Sequence, residues 1–203
     1  MEEGTWWRKG IGKRITKEIK CIIFAPMSSQ KKQIRIAVTG PESTGKTTLA
    51  KQLAEFYNGQ YIPEFAREYV ESLPSHYTYD DVETIAYAQV GQYQATKSSS
   101  EQLFFFDTWL IITKVWFNWV FGKTPDWLED QIKESPFDLF LLCQPDLPWE
   151  ADSVRENGGV NREKLYNEYR NELTHYNFTF VEIGGTGDVR LQSAIAVINE
   201  ICR

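Results

Sequence analysis

Residues 40–47 read Gly40-Pro41-Glu42-Ser43-Thr44-Gly45-Lys46-Thr47, and they fill every fixed position of the pattern G-x-x-x-x-G-K-[ST]. The chemistry of that spacing is phosphate binding. Two glycines let the backbone curl closely around an anion, with successive N–H groups turned inward. A helix beginning at Lys46 would aim the positive end of its dipole at the same anion. Lys46 would reach the β and γ phosphates of a nucleotide such as ATP, and Thr47 would offer a hydroxyl to Mg²⁺. Residues 40–48, closing with Thr48, are therefore the candidate nucleotide-binding set. The motif speaks for a bound nucleotide without choosing the reaction.

Further groups could complete a phosphoryl-transfer site. Two carboxylates, Glu64 and Asp107, follow short apolar runs that read as strands. In an open parallel sheet, ligands sit beyond the carboxyl ends of the strands. Asp107 suits Mg²⁺, directly or through water. Glu64 suits the role of base, taking a proton from a hydroxyl that attacks a γ-phosphorus, with Asp107 the alternative. Arg155 and Arg162 flank Gly158-Gly159 in an irregular stretch. An arginine arriving on closure there would stabilise the transferred group, with the glycines as hinge. Arg67, one helical turn past Glu64, is placed either to contact substrate or to pair with an acid. Trp109 lies two residues from Asp107, and its face could stack on a flat, cationic ring.

The elements that must position these groups alternate regularly. Ile34, Ile36 and Val38 alternate with Arg35 and Ala37, which predicts a strand ending at Gly40. Leu49, Leu53 and Tyr57 recur at helical spacing, and Gly59 closes that helix. A short strand at 61–62, a helix over 65–73 and a helix capped by Thr78 or Asp80 follow. Residues 103–106 are apolar throughout, the mark of a strand buried on both faces, and residues 137–143, apolar but for Asp138, read as another buried strand. Residues 109–121 predict an apolar helix that Gly122 ends, with its aromatics mostly in the core. Helices over 126–133 and around Leu165, Tyr169 and Leu173, a strand over 178–183 and a helix through Ile198 complete the chain. The expectation is an α/β three-layer sandwich on a mostly parallel sheet.

Composition narrows the class. The chain has 203 residues, 42% hydrophobic and 14% aromatic, enough for a real core and against a disordered chain. Three cysteines, Cys21, Cys143 and Cys202, are too scattered for a disulfide framework or a zinc site. With no apolar run of membrane-spanning length, the expectation is a cytoplasmic protein with no membrane partner. Charge divides unevenly. Residues 1–32 carry eight basic and three acidic groups, whereas residues 33–203 carry 14 and 25. An acidic main domain is a poor partner for nucleic acid. The expected division is a loose basic extension at 1–32, with Met27 a possible start, and a P-loop kinase domain at 33–203.

Four stretches in order, GPESTGKTTLAKQLA, IPEFAREY, FFFDTWLIITKVWF and DLFLLCQPDLPWEADSVREN, with Arg162 downstream, give the chain a more specific likeness. It resembles the ribosylnicotinamide kinase domain of NadR-type proteins. That resemblance implies a P-loop, nucleoside-kinase-like fold with five parallel strands. It implies ATP-dependent phosphorylation of the 5′-hydroxyl of nicotinamide riboside. It places Arg155 and Arg162 in a lid, and residues 185–190 in a loop near adenine. Residues 1–32 resemble neither the nucleotidyltransferase domain nor the helix-turn-helix of such proteins, so dinucleotide synthesis and repressor activity are not carried over. Another nucleoside or a nucleoside monophosphate as acceptor, and a non-catalytic ATP- or GTP-binding switch, remain the alternative readings.

Overall fold

The computed structural model describes residues 32–152 and 154–201. The basic extension and its Met27 start lie outside these, apart from Lys32, whose ammonium pairs with Asp138 at 2.7 Å.

Five strands form one parallel sheet: β1 (Ile34–Thr39), β2 (Gln60–Ile62), β3 (Leu103–Asp107), β4 (Leu139–Cys143) and β5 (Phe180–Ile183). Their spatial order is β2-β3-β1-β4-β5. From the central β1 the chain runs first to β2 on one side and later to β4 on the other. The carboxyl end of β1 is thus the switch point where such sheets bind ligands. Register puts Val38 beside Asp107, so the acid ends the neighbouring strand two residues below Gly40.

Both faces are buried, and alternation sorts the side chains. Ala37, Phe104, Phe106, Phe140 and Leu142 point into one apolar cluster. Ile36, Val38, Leu103, Phe105, Leu139, Leu141 and Cys143 point into the other. Two helices, α1 (Lys46–Tyr57) and α7 (Asp188–Ile201), cover the second face. The first face carries α3 (Tyr79–Lys97), α4 (Leu110–Trp116), α5 (Asp126–Glu134) and α6 (Val160–His175), while the short α2 (Phe65–Ser72) packs on α3. The expected three-layer α/β sandwich is the observed one.

Local chemistry sets the helix ends. Gly45 precedes α1 at φ 73°, and Asn58 follows it at φ 53°, both in the left-handed region. The Gly59 N–H closes the helix on the Ala54 carbonyl at 2.9 Å. Helix α3 begins with a reciprocal capping box. The Asp81 N–H donates to Thr78 Oγ1 at 3.3 Å, and the Thr78 N–H donates to Asp81 Oδ2 at 2.8 Å. Thr78, one of the two expected caps, is therefore the N-cap, and Asp81 supplies the returning carboxylate.

The predicted helix over 109–121 is two elements. Regular helix runs over Leu110–Trp116, and Phe117–Phe121 continue it as a turn of π-helix that Gly122 ends at φ 64°. Such wider turns concentrate at functional sites. Here the turn belongs to the cleft wall described next.

Candidate active site

A cleft of about 750 Å³ opens at the carboxyl edge of the sheet. Gly40, Glu42, Ser43, Gly45, Lys46, Thr47 and Thr48 line one end, and Glu64, Arg67 and Arg155 line its walls. Gln89, Ile112, Thr113, Trp116 and Trp119 line it further out. Of the candidate loop residues 40–48, all but Pro41 and Thr44 line the cleft.

The loop's shape explains its composition. A Cβ on Gly40, at φ 140°, would lie 2.7 Å from the Cys143 carbonyl oxygen, so no side chain fits there. The Pro41 carbonyl accepts from Thr44 Oγ1 at 2.8 Å and from Lys46 Nζ at 2.9 Å. The next outward carbonyls are capped by buried arginines. Ser43 O accepts from Arg162 Nη2 at 3.1 Å, and Thr44 O accepts from Arg190 Nη1 at 2.9 Å. A loop whose N–H groups face inward leaves its carbonyls facing out, and buried carbonyls need donors.

That arrangement corrects the expectation for Arg162. It sits in the first turn of α6, buried, donating to Leu147 O and Ser43 O, and it does not line the cleft. Its burial lowers the guanidinium's pKa from the usual range. Arg162 braces the loop rather than reaching over it. Residues 185–190 likewise do not line the cleft, and Arg190 joins Thr44 O, Gly185 O and the Asp146 carboxylate.

Arg155 does line the cleft. Its Nη1 donates to Glu150 O at 2.6 Å, and its Nε pairs with Asp152 at 3.1 Å. Arg67 also lines the cleft and pairs with the same Asp152 at 2.9 Å and with Glu71 at 3.2 Å. Pairing with an acid, one of the two outcomes expected for Arg67, is thus what the structure shows, with the side chain also lining the cleft. Desolvation works against ionising Asp152, but the Val154 N–H and the two guanidiniums outweigh it and hold its carboxyl below the usual range. The strap formed by residues 150–152 and 154–157 is thus tied to Arg67 of α2 through Asp152. Glu42 anchors it from the phosphate loop, accepting from the Glu156 and Asn157 N–H groups at 3.2 and 3.0 Å. A glutamate inside a phosphate loop carries no such signal in the sequence, because its partners lie more than a hundred residues away.

The two acids separate clearly. Asp107 is 2% exposed, accepts from the Tyr61 hydroxyl at 3.1 Å through Oδ2, and does not line the cleft. Its Oδ1 is buried with no hydrogen-bond partner among the described residues. Glu64, half-buried at the start of α2, lines the cleft. Burial raises its pKa; the Lys46 ammonium pulls the other way, and Asp107 adds to the rise. The groups are therefore close enough to feel one another. An unsatisfied carboxylate oxygen and the Thr47 hydroxyl at one sheet edge suit a hard cation held by oxygen. Among the described residues no group of three or more His, Cys, Asp or Glu could hold a metal alone, so nucleotide phosphates would complete the shell.

Trp109 is the second correction. Thr108 adopts φ 73°, and this kink turns the following indole back beneath the sheet edge. Trp109 is 1% exposed, packed on Tyr93, Phe106 and Phe137 at ring separations of 5.3, 5.9 and 5.1 Å. No ligand ring can reach it. The tryptophans on the cleft are Trp116 and Trp119, the latter 40% exposed on the π-helical turn. The sequence put most of this helix's aromatics in the core; the wider turn that carries Trp119 is not visible in the periodicity, and Trp116 lies on the regular helix before it. Trp109→Phe is expected to leave the nucleoside KM unchanged. Its stability should shift by no more than about 1–2 kcal/mol, because the lost volume is partly offset by removing the unpartnered Nε1–H. Thermal denaturation and a nucleoside titration check this; a tenfold rise in KM would return Trp109 to the acceptor site.

Comparison with known proteins now bears on this arrangement. Residues 35–190 match the family model described as AAA domain, which covers most of the chain. The chain belongs to this AAA-domain family. It is 29% identical over 153 residues to the trifunctional NAD biosynthesis/regulator protein NadR of Escherichia coli (strain K12), across 73% of this chain and 37% of that protein. The Salmonella typhimurium protein of the same name matches equally. The chain thus spans little more than a third of the length of these relatives. The likeness to NadR-type proteins read from the sequence is borne out. Among solved structures, NadR protein in complex with NR superposes with a TM-score of 0.72 at 24% identity, covering 84% of this chain and 52% of that one. Deoxyadenosine kinase from M. mycoides follows with 0.60 at 14%, covering 82% and 100%. At these identities the likeness speaks for the P-loop nucleoside-kinase-like fold.

Proposed function

We propose that this protein is a Mg-ATP-dependent nucleoside kinase, that residues 33–203 form its kinase domain, and that the acceptor is nicotinamide riboside, phosphorylated on its 5′-hydroxyl to the mononucleotide. One observation carries the reading: Glu64, an acid with a raised pKa, lines the same cleft as the phosphate loop and feels the charge of Lys46. A nucleotide-binding switch has no need of an acceptor base in that cleft. The likeness to NadR-type relatives and to the crystal structure of NadR protein in complex with NR supports this choice of acceptor.

The loop N–H groups and Lys46 hold the phosphates of ATP. Thr47 and Asp107 would hold Mg²⁺, which neutralises charge on the phosphate oxygens. Glu64 orients the acceptor's 5′-hydroxyl and takes its proton as the oxygen bonds to the γ-phosphorus. The bond from that phosphorus to the β–γ bridging oxygen breaks, and ADP leaves. The transition state is loose, so positioning contributes more than proton removal. Arg155 supplies positive charge for the equatorial oxygens. Trp116 and Trp119 offer aromatic faces to a flat cationic ring, an attraction of about 0.5–2 kcal/mol.

An acceptor screen tests this. Purified protein with Mg-ATP is expected to release ADP saturably when nicotinamide riboside is added, and far less with the common nucleosides. ADP release indifferent to any nucleoside would overturn the kinase reading. Release stimulated only by a different nucleoside or a nucleoside monophosphate would overturn the acceptor.

A further inference from the structure

Gln89 of α3 is a polar side chain only 3% exposed that nevertheless lines the cleft. Its Oε1 accepts from the Thr113 hydroxyl of α4 at 2.6 Å. Its Nε2 has no partner among the described residues, yet it is not among the sealed, unsatisfied atoms. An amide carries two donors on nitrogen and an acceptor on oxygen. With the oxygen held by Thr113, the nitrogen is the end presented to the cleft. A buried amide left unpaired in this way is costly, so its cleft-facing donors must find a ligand or water.

The surroundings say which ligand. Ile112 and Trp116 line the cleft from the same helix face as Thr113, being one turn apart. Together they make an apolar, aromatic slot with a fixed N–H donor beside it, in the same cleft as Glu64. A flat base fits the slot, and its edge must bring a hydrogen-bond acceptor.

Resting on the nucleoside-kinase reading above, we propose that Gln89, oriented by Thr113, selects the acceptor by donating a hydrogen bond from Nε2 to a carbonyl oxygen on the base. For nicotinamide riboside this oxygen is that of the carboxamide. Gln89 then touches substrate and determines specificity, while Thr113 is a positioning residue. Sites built to hydrogen-bond a substrate group reject analogues lacking it far more strongly than apolar pockets reject a missing methylene.

The test compares nicotinamide riboside with 3-methylpyridinium riboside, which keeps the charge and ring but lacks the carbonyl. Wild-type protein is expected to prefer the carbonyl compound by roughly 10–100-fold in kcat/KM. Gln89→Leu should reduce this preference to about threefold or less, chiefly by raising KM for nicotinamide riboside, with KM for ATP unchanged. Thr113→Val should lower the preference, and Thr113→Ser should restore it. If Gln89→Leu slows both ribosides equally, the residue is packing only and the proposal falls. A folded Gln89→Leu protein that keeps the wild-type preference also overturns it. Should wild-type protein instead prefer another nucleoside, the acceptor reading fails separately. If that base has a carbonyl, the same ratio against its carbonyl-free analogue decides for or against Gln89; if it has none, the proposal falls with the reading.

Discussion

Lys46→Ala is expected to lower turnover by about 10²–10³-fold, the scale of removing one preorganised charge donor from a water-poor site. The Lys46 ammonium donates to the Pro41 carbonyl at 2.9 Å and lines the cleft, so its loss leaves no buried partner charge behind. The helix it begins is held by Leu49 and Leu53, which are buried in the core. The melting temperature should therefore stay close to that of the wild type. Steady-state kinetics and thermal melting on the same preparation check both parts. Near-normal turnover would remove the phosphate-loop assignment.

Glu64→Gln is expected to lower kcat by roughly 10²-fold, at the low end for a general base because the transition state is loose. Affinity for ATP should be unchanged, since the loop groups hold the nucleotide. The pH profile sharpens the test. Burial raises the Glu64 pKa in the folded protein, and the carboxylate must be ionised to accept a proton. Activity is therefore present above the raised pKa and lost as pH falls through it, so the acid limb lies above the ordinary carboxylate value near 4.5. The Gln variant should lack this limb. Stability runs the other way. A raised folded-state pKa favours folding below the unfolded pKa, and that advantage is lost as pH rises through the folded value. At neutral pH the buried charge is a burden, so Glu64→Gln should fold at least as stably as the wild type. A variant that turns over normally would move the base elsewhere, although Asp107, which does not line the cleft where an acceptor would sit, offers no ready substitute.

Sequence made the fold and the nucleotide end of the site legible for physical reasons. The apolar runs at 103–106 and 139–143 read as strands buried on both faces, and the loop motif dictates its own backbone. The acids at the strand ends followed from where parallel sheets bind ligands. What stayed hidden depends on side-chain direction and distant partners. Thr108 turns Trp109 inward through one positive φ, and the π-helical turn swings Trp119 outward. Arg162 looked like a lid residue beside two glycines, but the outward Ser43 carbonyl captures it. Gln89 drew no notice because an isolated glutamine in a helix has no motif; its partner Thr113 lies 24 residues away.

The central claim is that this cleft moves the γ-phosphoryl group of ATP to the 5′-oxygen of nicotinamide riboside. Incubating wild-type protein with Mg²⁺, ATP labelled at the γ-phosphorus and nicotinamide riboside, then separating the products, tests it directly. The label is expected in nicotinamide mononucleotide, one per ADP formed, and this transfer should be slowed at least tenfold in Glu64→Gln. Label recovered only as inorganic phosphate, or remaining in ATP at a rate the riboside does not alter, would contradict the account.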